Sequence, residues 1–202
     1  MKTFMRGTVV FGLLLASAVA AISGTDMDLD LAGDWSFRMD PDDAGVGEKW
    51  FEKALPDKIA LPGSLQGQGH GNDVGLGTKW TGGLPADRSY FDDPRYAPYR
   101  EPGNIKIPFW PQPEKHYVGA AWYQRAVRLP DAMSGKRLVL SLERCHWETT
   151  VWVDGTEIGS QNGLSTPHEY DLTGAFAAGG GKQHMLTVRV DNRMIVDVGG
   201  AM

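Results

Sequence analysis

The stretch Lys136–Thr173 constrains the fold of this chain more than any other part of its sequence. Leucines alternate with other residues from 138 to 143, which is the two-residue period of a strand with one buried face. A second run, 149–153, reads Thr-Thr-Val-Trp-Val and is β-branched or aromatic throughout. Asp154-Gly155 then favours the positive φ values of a tight hairpin turn, after which the chain returns as a partner strand. The stretch predicts antiparallel β structure.

The rest of the chain shows the same preference for short strands. Apolar and polar residues alternate at 34–39 and 184–190. Residues 116–128 are predicted to form a further strand, with Trp122, Gln124 and Ala126 on one face and Tyr123, Arg125 and Val127 on the other. Sustained helical periodicity is rare, while 26 Gly and 12 Pro supply many turns. We therefore predict an all-β protein that folds as an antiparallel β-sandwich.

One long segment, Gln66–Pro113, lacks this periodicity and is rich in Gly, Pro and aromatic residues. An irregular stretch of this length in a compact domain indicates a functional loop or an insertion. Three interpretations stay open: the aromatic rings anchor the loop to the sandwich, they stack on the apolar faces of carbohydrate, or the loop is disordered. The aromatic residues concerned are Trp80, Tyr90, Phe91, Tyr96, Tyr99, Phe109 and Trp110.

The N-terminus predicts a signal peptide over residues 1–20. Lys2 and Arg6 precede an apolar run from Gly7 to Ala16, and a small-residue cleavage pattern ends at Ala20. The apolar run is shorter than the roughly 20 residues of a membrane-spanning helix. We expect export to the periplasm or beyond, with residues 21–202 as the mature domain and no membrane association after cleavage. An uncleaved membrane anchor is the alternative.

Composition excludes several classes of function. A net charge of −5, a pI near 5.5 and 42% hydrophobic residues describe a soluble globular chain without a basic surface for nucleic acid. The mature length of about 180 residues suits one domain. Cys145 is the only cysteine, so no internal disulfide can form, and its strand-rich surroundings favour a buried inert thiol over a nucleophile.

No motif predicts a metal, a cofactor or a catalytic nucleophile. The five histidines are scattered without metal-ligand spacing. The glycine-rich stretch 67–73 lacks the strand-loop-helix context of a phosphate site. Ser64 stands in Pro-Gly-Ser-Leu-Gln rather than in a Gly-x-Ser-x-Gly elbow.

Four ordered motifs give the chain a family resemblance. They are Leu-Ala-Gly-Asp-Trp-Ser-Phe at 31–37, Leu-Pro-Gly-Ser at 61–64, Gly-Ala-Ala-Trp-Tyr-Gln-Arg at 119–125, and the hairpin with Tyr-Asp-Leu-Thr at 146–173. Together they resemble the N-terminal sugar-binding domain of glycoside hydrolase family 2, which includes β-galactosidases, β-glucuronidases and β-mannosidases. The resemblance covers roughly residues 29–198. It implies a jelly roll of the galactose-binding-domain type.

The resemblance also bears on activity. In the family this domain is followed by an immunoglobulin-like domain and a (β/α)8 barrel that carries the two catalytic Glu residues. In the family, further chain also follows the strand that ends in Val-Arg-Val-Asp-Asn, at 188–192 here, and completes the sandwich. This chain stops a few residues past that strand, so we expect an incomplete C-terminal end and a non-catalytic domain of an exported glycoside hydrolase. Its partners would be carbohydrate and those downstream domains. The spacing of Glu143, Glu148, Asp191 and Asp197 does not distinguish them from surface carboxylates. A stand-alone lectin-like module is the alternative.

The resemblance implies four substrate-binding residues. Asn104 matches an Asn before the Trp-Tyr strand that reaches bound sugar in β-galactosidase-like members. Asp191, with Asn192 beside it, matches an Asp in the turn after the family's last conserved strand, and Asp171 matches a sugar-side position of glucuronidase-like members. Each of the four is also a common turn former, and that alternative stays open.

The chain departs from the family pattern after the hairpin. Gln161 replaces a His, Leu164 and Ser165 replace a Gly and a Tyr, and Asp154 replaces the usual Asn of the turn. These differences leave the identity of the sugar open, whereas the predicted fold does not depend on them.

Overall fold

The computed structural model describes residues 27–80, 89–106, 112–177 and 181–193. The predicted signal peptide, Phe109 and Trp110 lie outside these residues. Within them, no helix has the length and hydrophobicity needed to span a bilayer.

The described residues form an almost entirely β structure, which confirms the predicted antiparallel β-sandwich. One short α-helix, Ser89–Asp92, and four 3-10 turns, Trp50–Glu52, Gln66–Gln68, Pro94–Tyr99 and Asp131–Met133, connect the strands. The strands are β1 Gly33–Asp40, β2 Asp57–Leu61, β3 Asn72–Asp73, β4 Lys115–His116, β5 Ala120–Arg128, β6 Val139–Leu142, β7 Glu148–Val153, β8 Thr156–Asn162, β9 His168–Asp171 and β10 Gln183–Asp191.

A six-stranded antiparallel sheet with the order β2-β1-β5-β10-β7-β8 forms the main layer. The pair β6-β9 packs across its inner face, and the short pair β3-β4 ties part of the irregular segment together. The core between the layers contains aromatic and aliphatic side chains from both layers, among them Trp35, Phe37, Ile59, Val151, Val153, Tyr170, Leu172, Leu186 and Val188.

The main sheet is covered on its outer face as well. The segment that leaves β1 folds back so that Trp50 and Leu55 pack on Trp122 and Trp152, all four being buried. Gly45 lies so close to this layer that a Cβ atom there would come within 2.4 Å of Trp122 Nε1. The simple alternation predicted for 184–190 therefore corresponds to a strand with both faces covered, since Thr187 and Arg189 are buried along with Leu186 and Val188.

The β7-β8 hairpin explains the Asp at position 154. Asp154 and Gly155 have φ values of 49° and 79°, as the predicted tight turn requires. Asp154 Oδ1 accepts a hydrogen bond from the Met185 backbone N–H at 2.7 Å, and Oδ2 accepts one from His184 Nδ1 at 2.7 Å. A carboxylate offers two acceptor oxygens where an amide offers one, so Asp fits this turn better than Asn does.

Candidate functional site

The ends of four strands meet at one edge of the main sheet. Ala120, the first residue of β5, pairs with Asp40 at the end of β1 and with Asp191 at the end of β10. Asp191 in turn pairs with Glu148, the first residue of β7. We call this the β10 edge. Two of the four residues that the sequence predicts to bind sugar, the consecutive Asp191 and Asn192, lie at this edge.

Asp191 lies on the outer side of the β10 edge within a cluster of charges. Its carboxylate accepts hydrogen bonds from Arg189 Nη2 at 2.8 Å, from Arg193 Nε at 2.9 Å, and from Arg193 Nη2. The same two guanidinium groups reach Asp43, and Arg189 also lies 3.5 Å from Glu148. The Asp191 carboxylate thus holds two arginine side chains in place through ion pairs.

The charges in this cluster control its protonation. Burial alone would raise the pKa of Asp191, but the hydrogen bonds from Arg193 and the charge of Arg189 outweigh it and hold that pKa below the usual range. Hydrogen bonds from Arg189 and Arg193 likewise lower the pKa of Asp43. Both groups are therefore carboxylates at neutral pH.

Asn192 faces the other way, as the next residue along a strand does. Its Oδ1 accepts a hydrogen bond from the Gly119 N–H at 2.8 Å, and its Nδ2 donates one to the Tyr117 carbonyl at 2.9 Å. These two hydrogen bonds hold the residues just before β5 against the end of β10. An amide can make four hydrogen bonds, so the contacts with described residues use one acceptor and one donor position of the Asn192 side chain and leave one of each.

Beside Asn192 lies a cavity of about 370 Å³, which we call the aromatic hollow. Trp80 and His116 meet in it edge to face, with ring centroids 4.9 Å apart. Trp147 is held in place because its backbone N–H donates to the Asp191 carbonyl and its own carbonyl accepts from Gly163 N–H. The lining residues are Gln66, Trp80, His116, Tyr117, Val118, His146, Trp147 and Asn192.

The aromatic hollow opens into a wider depression of about 780 Å³ along residues 72–79. One wall of it is fixed by the β3-β4 pair, where Lys115 Nζ lies 2.6 Å from Asp73 Oδ1. Trp80, His116 and Val118 line both spaces. A ligand longer than one ring could therefore extend from the hollow over this depression.

The other two predicted site residues lie elsewhere. Asp171 ends β9, where its Oδ1 accepts the Thr173 N–H at 2.9 Å and its Oδ2 lies 3.4 Å from Arg137 Nε. Asp171 pairs with Val139, at one end of the β6-β9 ladder. The other end of the ladder is nearer the β10 edge, because His168 there bonds through its ring to Thr149. Asp171 is therefore separated from the β10 edge by the length of the ladder.

Asn104 is exposed, and its Nδ2 donates to the Pro98 carbonyl at 2.8 Å. These contacts fit the turn-forming alternative for both residues, and their binding role stays a prediction.

Sequence reasoning missed most of the aromatic hollow. Trp80 was noted among the loop aromatics, but Gln66, His116 and Trp147 come from three separate segments that only the β3-β4 and β7-β10 pairings bring together. Trp147 directly precedes β7 and is half-buried. The aromatic content of Gln66–Pro113 was the one available signal.

Two further kinds of site can be assessed among the described residues, a metal site and a nucleophilic cysteine. Among the described ranges, no group of three or more His, Cys, Asp or Glu side chains could hold a metal ion. Cys145 is half-buried, and burial raises the pKa of its thiol, which disfavours the nucleophilic thiolate.

The charge cluster predicts a loss of stability in acid. Because the pKa values of Asp43 and Asp191 are lowered in the folded chain, the unfolded chain binds protons first as the pH falls. Their stabilisation is complete above the unfolded pKa of about 3.9 and is lost as the pH falls through the lower folded values. Urea unfolding between pH 6 and 2.5 should show this loss. The double variant Asp43→Asn/Asp191→Asn should depend on pH less steeply, and an unchanged dependence would contradict the assignment.

Comparisons with known proteins agree with this architecture. The family described as glycosyl hydrolases family 2, sugar binding domain, matches residues 29–197. A β-glucuronidase of Paenibacillus borealis is 30% identical over 164 residues, which cover 81% of this chain and 21% of that protein. A β-glucuronidase of Canis lupus familiaris is 25% identical over 176 residues, covering 82% of this chain and 21% of that protein.

Solved structures give the same result. The β-glucuronidase of an uncultured Clostridium sp. superimposes with a TM-score of 0.52 at 27% identity, covering 82% of this chain and 22% of that one. The β-glucuronidase of Lactobacillus rhamnosus has a TM-score of 0.54 at 20% identity, with 83% and 22% covered, and supports the fold alone. The chain spans about one fifth of the length of these relatives. With its family match extending over nearly all of the described sheet structure, the chain belongs to the sugar-binding domains of the family 2 glycosyl hydrolases.

Proposed function

We propose that this chain is a non-catalytic sugar-recognition domain of an exported β-glycoside hydrolase, in which it works beside a separate catalytic domain. The observation that carries the proposal is the aromatic hollow at the β10 edge, where indole rings and polar side chains line one space. The relatives are named β-glucuronidases, which makes β-glucuronides the first ligand class to test.

The aromatic hollow has the chemistry of a sugar site. A pyranose ring has an apolar face of C–H groups that packs on an indole, and Trp80 and Trp147 each supply one. Its hydroxyl groups need donors and acceptors, which Gln66, His116 and Asn192 provide around the same space. The volume of about 370 Å³ is at the small end of the range for ligand sites and suits one or two sugar rings.

The carboxylates beside the hollow support a non-catalytic role. A retaining glycosidase needs one carboxylic acid whose pKa is raised enough to donate a proton, close to a second carboxylate. Asp43 and Asp191 have lowered pKa values, and their oxygens are bonded to Arg189 and Arg193. They therefore suit structural ion pairs better than proton transfer.

A catalytic partner would complete the site. Because this chain spans about one fifth of its relatives' length, most of each relative is formed by other segments, and we propose that these carry the catalytic residues. Asn192 and the aromatic hollow would then supply one wall of the site. Asn104, Asp171 and Asp191 would act by supporting local turns and ion pairs, or by contacts that form only with that partner.

Export is part of this proposal. It is supported by the charged, apolar and small-residue pattern of residues 1–20. Mass spectrometry of the exported protein should find a mature N-terminus within a few residues of Ala21. Intact Met1 on soluble protein in the cytoplasm would contradict it.

The experiment that tests sugar recognition is a titration of the full chain with methyl β-glucuronide and methyl β-galactoside, followed by NMR of the indole N–H groups. We expect a dissociation constant of about 1 mM or weaker, because a single wall offers few contacts. Trp80→Ala should weaken binding about tenfold, since roughly 50 Å² of apolar contact at about 25 cal/mol/Å² is worth about 1.3 kcal/mol.

Met185→Ala is the matched control, because Met185 is exposed and lies at the opposite end of β10 from Asp191. Its affinity for either glycoside should equal that of the unchanged chain. Micromolar affinity would favour the stand-alone lectin-like module instead. Equal affinities of the Trp80→Ala and Met185→Ala variants would place the sugar elsewhere, and turnover of either glycoside by the purified chain would contradict the non-catalytic role.

A further inference from the structure

A buried set of hydrogen bonds, which we call the His168 network, connects β9 with the wall of the aromatic hollow. It starts at Tyr170, whose Oη lies 2.8 Å from the Thr149 carbonyl oxygen and 2.7 Å from Thr149 Oγ1. Thr149 Oγ1 in turn lies 2.7 Å from His168 Nδ1, and His168 Nε2 lies 3.2 Å from the Gly163 carbonyl oxygen. Thr149 is fully buried and His168 is 2% exposed. These two side chains therefore depend on each other and on Gly163 for their hydrogen bonds.

The network continues through the backbone to Trp147. The Gly163 N–H donates to the Trp147 carbonyl at 3.0 Å, and the Trp147 N–H donates to the Asp191 carbonyl at 2.6 Å. Gly163 follows β8 and His168 begins β9, while the four residues between them, 164–167, are exposed. The contact between His168 and Gly163 therefore ties the two ends of this loop together beside Trp147.

The position of the proton on the His168 ring follows from the donors and acceptors around it. An uncharged imidazole carries one N–H, on Nδ1 or on Nε2. A proton on Nδ1 would leave Nε2 and the Gly163 carbonyl as two buried acceptors facing each other, which is costly. Protons on both nitrogens would bury a cation whose ring contacts are a hydroxyl and a carbonyl rather than a carboxylate.

A proton on Nε2 gives every contact of the network a donor. Tyr170 then shares its hydroxyl proton between the two oxygens of Thr149. The Thr149 hydroxyl donates to His168 Nδ1, and His168 Nε2 donates to the Gly163 carbonyl. All of the hydrogen bonds run in one direction, from Tyr170 to the backbone at Asp191. Hydrogen bonds aligned in this way polarise and strengthen one another.

We propose that His168, held as the Nε2–H tautomer, is a positioning residue for the sugar site, because its bond to Gly163 sets where the Trp147 indole lies in the aromatic hollow. A Cβ atom on Gly163 would come within 3.2 Å of His168 Nε2 and 3.3 Å of Thr166 Oγ1, so the contact has little room to spare. A shift of Gly163 would move the Trp147 carbonyl that it bonds. The effect on sugar binding rests on the proposed function, whereas the position of the indole does not.

Nitrogen NMR of the isotope-labelled full chain near neutral pH tests the tautomer without any ligand. We expect the His168 ring to carry its proton on Nε2 and to have an unprotonated Nδ1. A ring protonated on Nδ1 alone would overturn the proposal, because Gly163 would then have no donor in the ring. A ring protonated on both nitrogens would overturn it as well.

Two variants of His168 test its effect on Trp147. His168→Leu removes both ring nitrogens, so exchange of the Gly163 amide proton should become about fivefold faster, as expected for a weakened hydrogen bond. The indole N–H resonance of Trp147 should shift at the same time. His168→Gln keeps a side-chain N–H donor and should return both measurements toward those of the unchanged chain. Equal effects of the two variants would show that the donor to Gly163 does not position Trp147.

His184→Leu is the matched control. His184 is also a buried histidine, 3% exposed, and its ring bonds to Asp154 at the far end of β10 from Asp191. This variant should leave the Gly163 exchange rate and the Trp147 resonance unchanged. If His168→Leu does not fold, Gly163→Ala replaces it, because the added Cβ crowds the same contact from the loop side. Unchanged Gly163 exchange and Trp147 resonance in the folded variant would overturn the proposal.

Sugar titrations separate this proposal from the proposed function. Where methyl β-glucuronide binds the unchanged chain, His168→Leu should weaken binding about threefold to tenfold, the usual worth of one hydrogen bond, and His168→Gln should weaken it less. If the unchanged chain binds neither glycoside, the proposed function fails, and the exchange and indole measurements still decide the role of His168. Equal affinities of the unchanged chain and His168→Leu would show that His168 does not position the site.

Discussion

Trp152→Ala should lower the free energy of unfolding by about 3–5 kcal/mol, the usual cost of removing a large buried aromatic side chain. Trp152 is 3% exposed and lies in the outer layer of the main sheet. Its ring stacks on Phe51 at a centroid distance of 5.2 Å and on Trp122 at 5.1 Å. Alanine would leave a cavity between the sheet and the 3-10 turn Trp50–Glu52. Urea unfolding followed by far-UV circular dichroism measures the loss.

Trp80→Ala is the matched control for this variant. The indole of Trp80 is only half-buried, and it belongs to the irregular segment rather than to a strand. We expect a much smaller loss of stability, because the truncated side chain opens to solvent and leaves no closed cavity. Equal unfolding midpoints for the two variants would show that the outer layer does not stabilise the sheet.

Arg189→Met should lower the free energy of unfolding by about 3 kcal/mol, because it removes one cation from a buried ion-pair cluster. The side-chain volume stays nearly the same. The Arg189 side chain is 9% exposed and bonds to Asp43 and Asp191, with Glu148 at 3.5 Å. Its removal leaves Asp191, also 9% exposed, with Arg193 as its remaining cationic partner. The cost therefore falls at the lower end of the range for buried pairs.

Arg95→Met provides the comparison for this second variant. Arg95 pairs with Asp93 at 2.7 Å, but its side chain is 80% exposed, so water screens the interaction and little stability should be lost. The difference between the two variants should also shrink below pH 4, since protonated Asp43 and Asp191 no longer need a guanidinium partner. Equal losses for Arg189→Met and Arg95→Met would show that burial adds nothing to the cluster.

Local periodicity was enough to predict the strands and their antiparallel arrangement. The leucine alternation became β6, the Thr-Thr-Val-Trp-Val run lies within β7, and Asp154-Gly155 forms the hairpin turn between β7 and β8. These features depend on residues close together in sequence, whose side-chain spacing and φ preferences are local properties. The four family motifs then sufficed to identify the jelly-roll type.

The outer layer and the aromatic hollow depend on non-local contacts, which periodicity does not reveal. Trp50 meets Trp122 only because the chain after β1 folds back over the sheet, and that path is set by turns such as the one at Gly45. His116 meets Trp80 through the β3-β4 pair, whose two-residue strands carry no detectable period. Asp191 was selected by resemblance, but its ion pairs with Arg189 and Arg193 could be found only in the folded chain.

A crystal structure of the full chain soaked with methyl β-glucuronide tests the central claim most directly. The account predicts electron density for one pyranose ring in the aromatic hollow, with its C–H face on Trp80 or Trp147 and its hydroxyl groups within hydrogen-bonding distance of His116 or Asn192. The β10 edge should keep its ion pairs unchanged. Density for the sugar at Asn104 or Asp171, with the hollow empty at the same glycoside concentration, would contradict it.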